Sequence, residues 1–192
     1  MLNTSLSIII GPMYSGKTSK LFEIYNYNNK NNYHEKQLII DHTFIKDNLL
    51  QITNLYNHDK KYLSCIKLNS RLLKNFNYIN YKHVHINECQ FFPNLKEIIL
   101  YLLEKYNIHI YCYGLDSDYK KEKFGEILDL IPHCDKVIKL SGRCNNPKYI
   151  CCNKSVFTHR IDKKMSQKIL LTNSTDNNYI SLCRTCYSIF NK

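Results

Sequence analysis

The clearest chemistry in the chain lies in eight residues near its start, GPMYSGKT, which run from Gly11 to Thr18. They satisfy the pattern G-x-x-x-x-G-K-[ST], with an apolar run before them and an amphipathic segment behind. The two glycines let successive N–H groups turn inward toward phosphate oxygens, and a helix starting at Lys17 adds the positive end of its dipole. This makes Gly11, Pro12, Met13, Tyr14, Ser15, Gly16, Lys17 and Thr18 candidate ATP-binding residues. Lys17 is expected to reach the β- and γ-phosphates, and the Thr18 hydroxyl to bind Mg²⁺. Such a loop serves ATPases, GTPases and kinases alike, so it indicates a nucleoside triphosphate but not its use.

Two further groups bear on the chemistry. The apolar run His83 to Ile86 leads into Asn87-Glu88-Cys89-Gln90. A phosphate-loop site needs an acid at the end of a neighbouring strand, to hold Mg²⁺ or take the nucleophile's proton. Glu88 fits the second task, as general base for a substrate hydroxyl. Asn87, beside it, offers an oxygen without a charge and would help hold Mg²⁺ through a water. In the last fifty residues Cys183 and Cys186 form a C-x-x-C pair, with Cys144, Cys151 and Cys152 upstream. Four thiolates suit a tetrahedral zinc ion, and a closed four-ligand site leaves no position for chemistry, so the zinc would be structural. Spacing alone leaves the fourth ligand open between Cys151 and Cys152. Cys65, Cys89, Cys112 and Cys134 stand alone and read as buried or incidental thiols.

These residues need a frame to hold them. The runs Leu6 to Ile10, Gln37 to Ile40, His83 to Ile86, His109 to Tyr113 and Val137 to Leu140 read as short buried strands. Between them, Lys17 to Tyr27, Ser70 to Phe76 and Leu95 to Lys105 read as helices. Such alternation argues for βαβ units and a parallel sheet. Tyr62 to Leu68 reads as a further strand. The Asn-rich stretch 26–35 is expected to be a loop, and Asp41 to Lys61 a loop with a short helix. The fold class is therefore α/β, a phosphate-loop core over residues 1–140 with a small zinc lobe over 141–192.

A length of 192 residues suits one domain with a small appendage. The net charge of +11 suits a phosphate-bearing partner, but the lysines are scattered and no basic run points to nucleic acid. No basic-then-apolar leader opens the chain, and no apolar stretch has the length of a membrane span. A cytoplasmic protein with reduced cysteines is the expectation.

Taken in order, GPMYSGKT, NECQFF, GLDSDY, KFGEILDLIPHCDKVIKL and SLCRTCY resemble the type II thymidine kinases, over about Ser5 to Tyr187. The resemblance implies a RecA-like core, a zinc lobe with a lasso loop over the base, and transfer of the ATP γ-phosphate to the 5′-hydroxyl of thymidine. It also implies a homotetramer. It places Glu88 on the catalytic base, Gln90 on a residue lining the nucleotide site and Phe91 on the thymine-stacking ring. Met13, Leu115, Tyr119, Phe124, Thr158 and Tyr179 fall around the base, and Arg160 near phosphate. Cys144, Cys183 and Cys186 match zinc ligands, with Cys151 as the fourth. A flat base with polar edges suits a pocket of aromatic rings and backbone groups.

The chain departs from the family pattern at three places. Asn87 stands where the family has a metal-linked Asp. In DHTFIKDNLL, Asp47 is the candidate carboxylate for the 5′-hydroxyl, but no Arg follows it; the NHD of Asn57-His58-Asp59 resembles a family SHD set one position nearer. The lasso has TNSTDNNY in place of Gly-Gly. A slow or inactive homologue is thus the second reading, and a basic nucleic-acid-binding module the third.

Overall fold

The computed structural model describes residues 3–32, 34–44, 50–161 and 178–190. Strand β1 (Ser5–Ile10) runs into the glycine loop, and α1 (Lys17–Asn31) follows. Then come β2 (Gln37–His42), β3 (Gln51–Tyr56), β4 (Tyr62–Leu68), α2 (Ser70–Asn75), β5 (His83–Ile86), α3 (Leu95–Lys105), β6 (His109–Gly114) and β7 (Lys136–Lys139). The strands form one sheet in the order β3-β4-β2-β5-β6-β1-β7. All neighbours are parallel except the edge pair β3 and β4.

A parallel sheet is covered on both faces, so its strands are apolar on both. Ile8, Ile10, Ile40, Val84, Ile86, Ile110 and Cys112 pack on one side against Leu95, Ile98, Ile99 and Leu102 of α3. Each fully buried side chain of that size contributes roughly 1.5–3 kcal/mol. Ile9, Ile39 and Tyr113 face the other way, against Leu21 and Phe22 of α1. The alternation in HVHI sends Val84 and Ile86 into the first core and the two histidines beneath α1. There His85 Nδ1 meets the Tyr113 hydroxyl at 3.0 Å and its Nε2 meets Gln37 Oε1 at 3.0 Å, with Tyr111 stacked on the ring at 4.7 Å. Burial, with some help from the charge of His83, lowers the His85 pKa to about 3.

Two expectations need correction. The Asn-rich stretch is not a loop from residue 26: α1 continues to Asn31, and Asn28 is buried with its amide directed at Gln37 Oε1 and the Tyr111 hydroxyl. Satisfying that polar group against the sheet outweighs the weak helix propensity of Asn. The stretch Asp41 to Lys61 contains no short helix among its described residues. It carries strand β3, paired along its length with β4 through a turn at Asn57 to Lys60.

Beyond β7 the chain forms two small antiparallel pairs, β8 (Gly142–Arg143) with β9 (Lys154–Ser155) and β10 (Phe157–Arg160) with β11 (Tyr179–Leu182). Helix α4 (Arg184–Phe190) closes them. Their core is built on Cys144, Cys151, Cys183 and Cys186 with Ile180, Leu182 and Tyr187. The lobe is tied to the sheet by the Tyr187 hydroxyl, which donates to the Tyr119 carbonyl at 2.6 Å. Among the described residues, no helix is long and apolar enough to cross a membrane.

Candidate active site

The site lies at the carboxyl ends of the parallel strands, where the loop after β1, the residues after β5 and the residues after β6 converge. A cavity of about 410 Å³ is lined there by Met13, Tyr14, Ser15, Gly16, Lys17 and Thr18 on one side and Glu88, Gln90, Phe91 and Leu115 on the other, with His58 over it. Gly16 takes φ +85°, a left-handed conformation that other residues adopt only with strain, and it caps α1. Lys17 Nζ donates to the carbonyls of Pro12 (2.7 Å) and Gly11 (3.2 Å), folded back on its own loop. Burial lowers the Lys17 pKa, while the charges of Glu88 and Asp116 oppose that shift. A half-buried lysine beside a helix N-terminus is a receptor for a polyanion.

Glu88 stands at the end of β5 with φ +52°, an uncommon conformation for a residue with a side chain. It turns the chain into a short 3₁₀ turn over Cys89–Phe91. Its carboxylate accepts a 2.6 Å hydrogen bond from Gln90 Nε2, and Gln90 Oε1 accepts from the Leu115 N–H at 3.0 Å. Gln90 is itself wedged in place: a Cβ on Gly114 would lie 2.7 Å from its Oε1, and one on Gly125 would strike its carbonyl. Burial raises the Glu88 pKa, the Lys17 charge and the Gln90 hydrogen bond lower it, and Asp41 raises it. A carboxylate raised by burial is a stronger proton acceptor once ionised, as a general base must be.

The remaining sequence candidates surround this centre. Phe91 packs edge-to-face on Phe124, with ring centroids 5.4 Å apart. Thr158 Oγ1 accepts the Met13 N–H at 3.0 Å and so joins β10 to the phosphate loop. Arg160 is buried with its guanidinium 4.0 Å from the centre of the Tyr119 ring. Tyr179 pairs with Arg160 across β10 and β11. Tyr119, Phe124, Thr158, Arg160 and Tyr179 are not among the residues that line the cavity. Asn87 is buried and its amide nitrogen donates to Asp41 Oδ1 at 2.9 Å. Asp47 lies outside the described residues, as does most of the lasso stretch before Tyr179.

His58 and Asp41 were not among the residues singled out for the site. The NHD triplet brings His58 to the cavity only through the β3–β4 hairpin, where the sequence predicts a loop. Asp41 carried a plain signal, an acid at the end of a buried strand.

The four sulfurs of Cys144, Cys151, Cys183 and Cys186 lie within 4.8 Å of one another, and all four residues are buried. Cys152 is exposed and outside the cluster. Sulfurs about 2.3 Å from a tetrahedral ion lie about 3.8 Å apart, and Cys151 and Cys183 are 3.9 Å apart. Backbone N–H groups of Cys183 and Cys186 point at Cys144 Sγ (3.2 Å) and Cys183 Sγ (3.4 Å), as thiolates require. The donor set fits a tetrahedral, thiophilic metal ion.

Comparison with known proteins agrees with this geometry. The model of the family described as Thymidine kinase matches residues 4–187. A thymidine kinase of Choristoneura fumiferana entomopoxvirus is 35% identical, covering 96% of each chain. One from Yaba monkey tumor virus is 32% identical over 95% of this chain and 93% of its own. One from Mycoplasma mobile is 31% identical over 95% of this chain and 86% of its own.

Proposed function

The chain belongs to the thymidine kinase family, and on that premise we propose that it transfers the γ-phosphate of ATP to the 5′-hydroxyl of thymidine for DNA precursor synthesis. The observation that carries this is the pairing of the phosphate loop with a half-buried Glu88, held by Gln90, across one cavity. The loop N–H groups hold the triphosphate, and Lys17 leaves the Gly11 and Pro12 carbonyls for the β- and γ-phosphates. Glu88 takes the 5′-hydroxyl proton as that oxygen attacks in line. The Thr18 hydroxyl, with Asn87 helping through a water, would hold Mg²⁺, which when bound would supply neutralisation of phosphate charge. Phe91 stacks on thymine and is held at the correct tilt by Phe124. Leu115 and Met13 close on the base, backed by Thr158, while Tyr119, Arg160 and Tyr179 form the outer wall. Asp47 is the candidate partner of the 5′-hydroxyl.

The metal of the four-cysteine cluster is read as structural zinc, which holds the small lobe in place without joining the reaction. The RecA-like character of residues 1–140, the lasso of 141–192, the homotetramer and the cytoplasmic location rest on family membership. A Glu88→Gln variant tests the base: turnover should fall by about a hundredfold or more while ATP still binds. Unchanged turnover would remove Glu88 from that role.

A further inference from the structure

Position 87 presents a problem in charge. Where the resemblance expects a carboxylate to attract Mg²⁺, this chain has a neutral amide. The neighbouring strand supplies the missing charge. Ile40 and Ile86 are partners in the parallel register, so the next residues, Asp41 and Asn87, sit side by side at the strand ends. The Asn87 N–H donates to the Ile40 carbonyl at 2.8 Å, which fixes the two backbones together. The side chains then meet at 2.9 Å, Asn87 Nδ2 donating to Asp41 Oδ1.

The chemistry of the pair has a consequence for orientation. An amide carries two donors on nitrogen and an acceptor on oxygen, whereas an ionised carboxylate only accepts. Asp41 therefore decides which way the Asn87 amide lies: nitrogen toward the carboxylate, oxygen away from it. Without that partner nothing would hold the amide in this orientation before the cation arrives. Hydrogen bonding to a carboxylate also draws positive charge to the nitrogen side and makes the amide oxygen a better ligand. Burial raises the Asp41 pKa, and the Asn87 hydrogen bond and the charge of Lys67, its register partner on β4, both oppose that shift and favour the carboxylate.

We propose that Asp41 is the positioning residue of the Mg²⁺ site: it orients and polarises Asn87 and supplies, one strand over, the negative charge that position 87 lacks. The ligand class is a hard divalent cation bound with a nucleoside triphosphate. This rests on the reading of the cavity as an ATP·Mg²⁺ site.

The test is calorimetric titration of ATP into the protein, once with excess Mg²⁺ and once with EDTA. The ratio of the two dissociation constants measures the coupling of cation to nucleotide. Asp41→Asn keeps a side-chain hydrogen bond possible but removes the charge. The ratio should fall about 10-fold to 100-fold, as when an outer partner of a metal ligand is removed, with ATP affinity in EDTA little changed. The exchanged pair, Asp41→Asn with Asn87→Asp, returns one carboxylate and one amide to the same contact and should recover most of the ratio. Melting temperature and metal content of the lobe confirm that each variant folds. A wild-type ratio in Asp41→Asn, or an exchanged pair no better than Asp41→Asn, would overturn the proposal alone. Failure of the wild type to bind ATP, or binding indifferent to Mg²⁺, would overturn the underlying site as well.

Discussion

Gln90→Leu should cripple phosphoryl transfer on the acidic side of its pH profile and spare it on the alkaline side. In the structure Gln90 makes two hydrogen bonds that matter, to Glu88 Oε2 at 2.6 Å and from the Leu115 N–H at 3.0 Å. Leucine keeps much of the volume and makes neither. A hydrogen bond to a charged group contributes about 1.5–3 kcal/mol, and this one favours the ionised form of Glu88. At about 1.36 kcal/mol per decade, its loss lowers the rate on the acidic limb by about tenfold to somewhat over a hundredfold. The direction with pH follows from the causes of the Glu88 shift. Burial already raises its pKa, Lys17 and Gln90 hold it down, and removing Gln90 raises it further. The base is active as a carboxylate, so the acidic limb of the profile should move to higher pH and activity should recover there. The orphaned Leu115 N–H also costs about 1–3 kcal/mol of stability, visible in denaturant unfolding. The assay is kcat/KM for thymidine across pH. A uniform loss with the acidic limb unmoved would refute the view that Gln90 sets the protonation of the base.

Other predictions concern parts of the molecule further from the base. His85 is neutral when folded, with a pKa lowered to about 3, so its contribution is complete above the unfolded value near 6.5 and is lost as pH falls below it. Stability should then drop by up to about 1.4 kcal/mol per pH unit from this group, and His85→Gln should flatten that slope in melting curves taken from pH 7 to 4. His83, Gln37, Tyr111, Tyr113 and Tyr25 face this ring, so the wild-type slope is to be read against the variant rather than alone. Cys183→Ser should release the metal and unfold the small lobe; full zinc content by atomic absorption would reject the site. His58→Ala should raise KM for ATP by less than about tenfold with kcat less affected, since an exposed hairpin side chain contributes only about 0.5–1.5 kcal/mol through one hydrogen bond; an unchanged KM would place the hairpin outside the binding step.

The parts of this fold that were legible in the sequence are those with strong local signals. The glycine loop announces itself through Gly11, Gly16 and Lys17, and buried parallel strands such as Leu38 to Ile40 are apolar on both faces. Strand β3 was hidden because it lies at the sheet edge with Ile52 and Tyr56 exposed, so no contrast between faces marks it. Asn28 sits in a stretch whose composition predicts a loop, because its buried partners, Gln37 and Tyr111, are distant in sequence. Cysteine spacing alone does not choose Cys151 over Cys152; the family resemblance points to Cys151, and the cluster holds Cys151 with Cys152 exposed. The Asp41–Asn87 contact depends on strand order, which periodicity alone does not reveal.

The most direct test of the central claim is phosphate transfer from γ-labelled ATP with Mg²⁺ to thymidine, using folded, metal-loaded protein and the other nucleosides as controls. The account predicts rapid formation of labelled thymidine monophosphate, abolished by Glu88→Gln. No transfer to any nucleoside from intact protein would contradict it, and would mark the chain as a homologue that keeps the site but not the reaction.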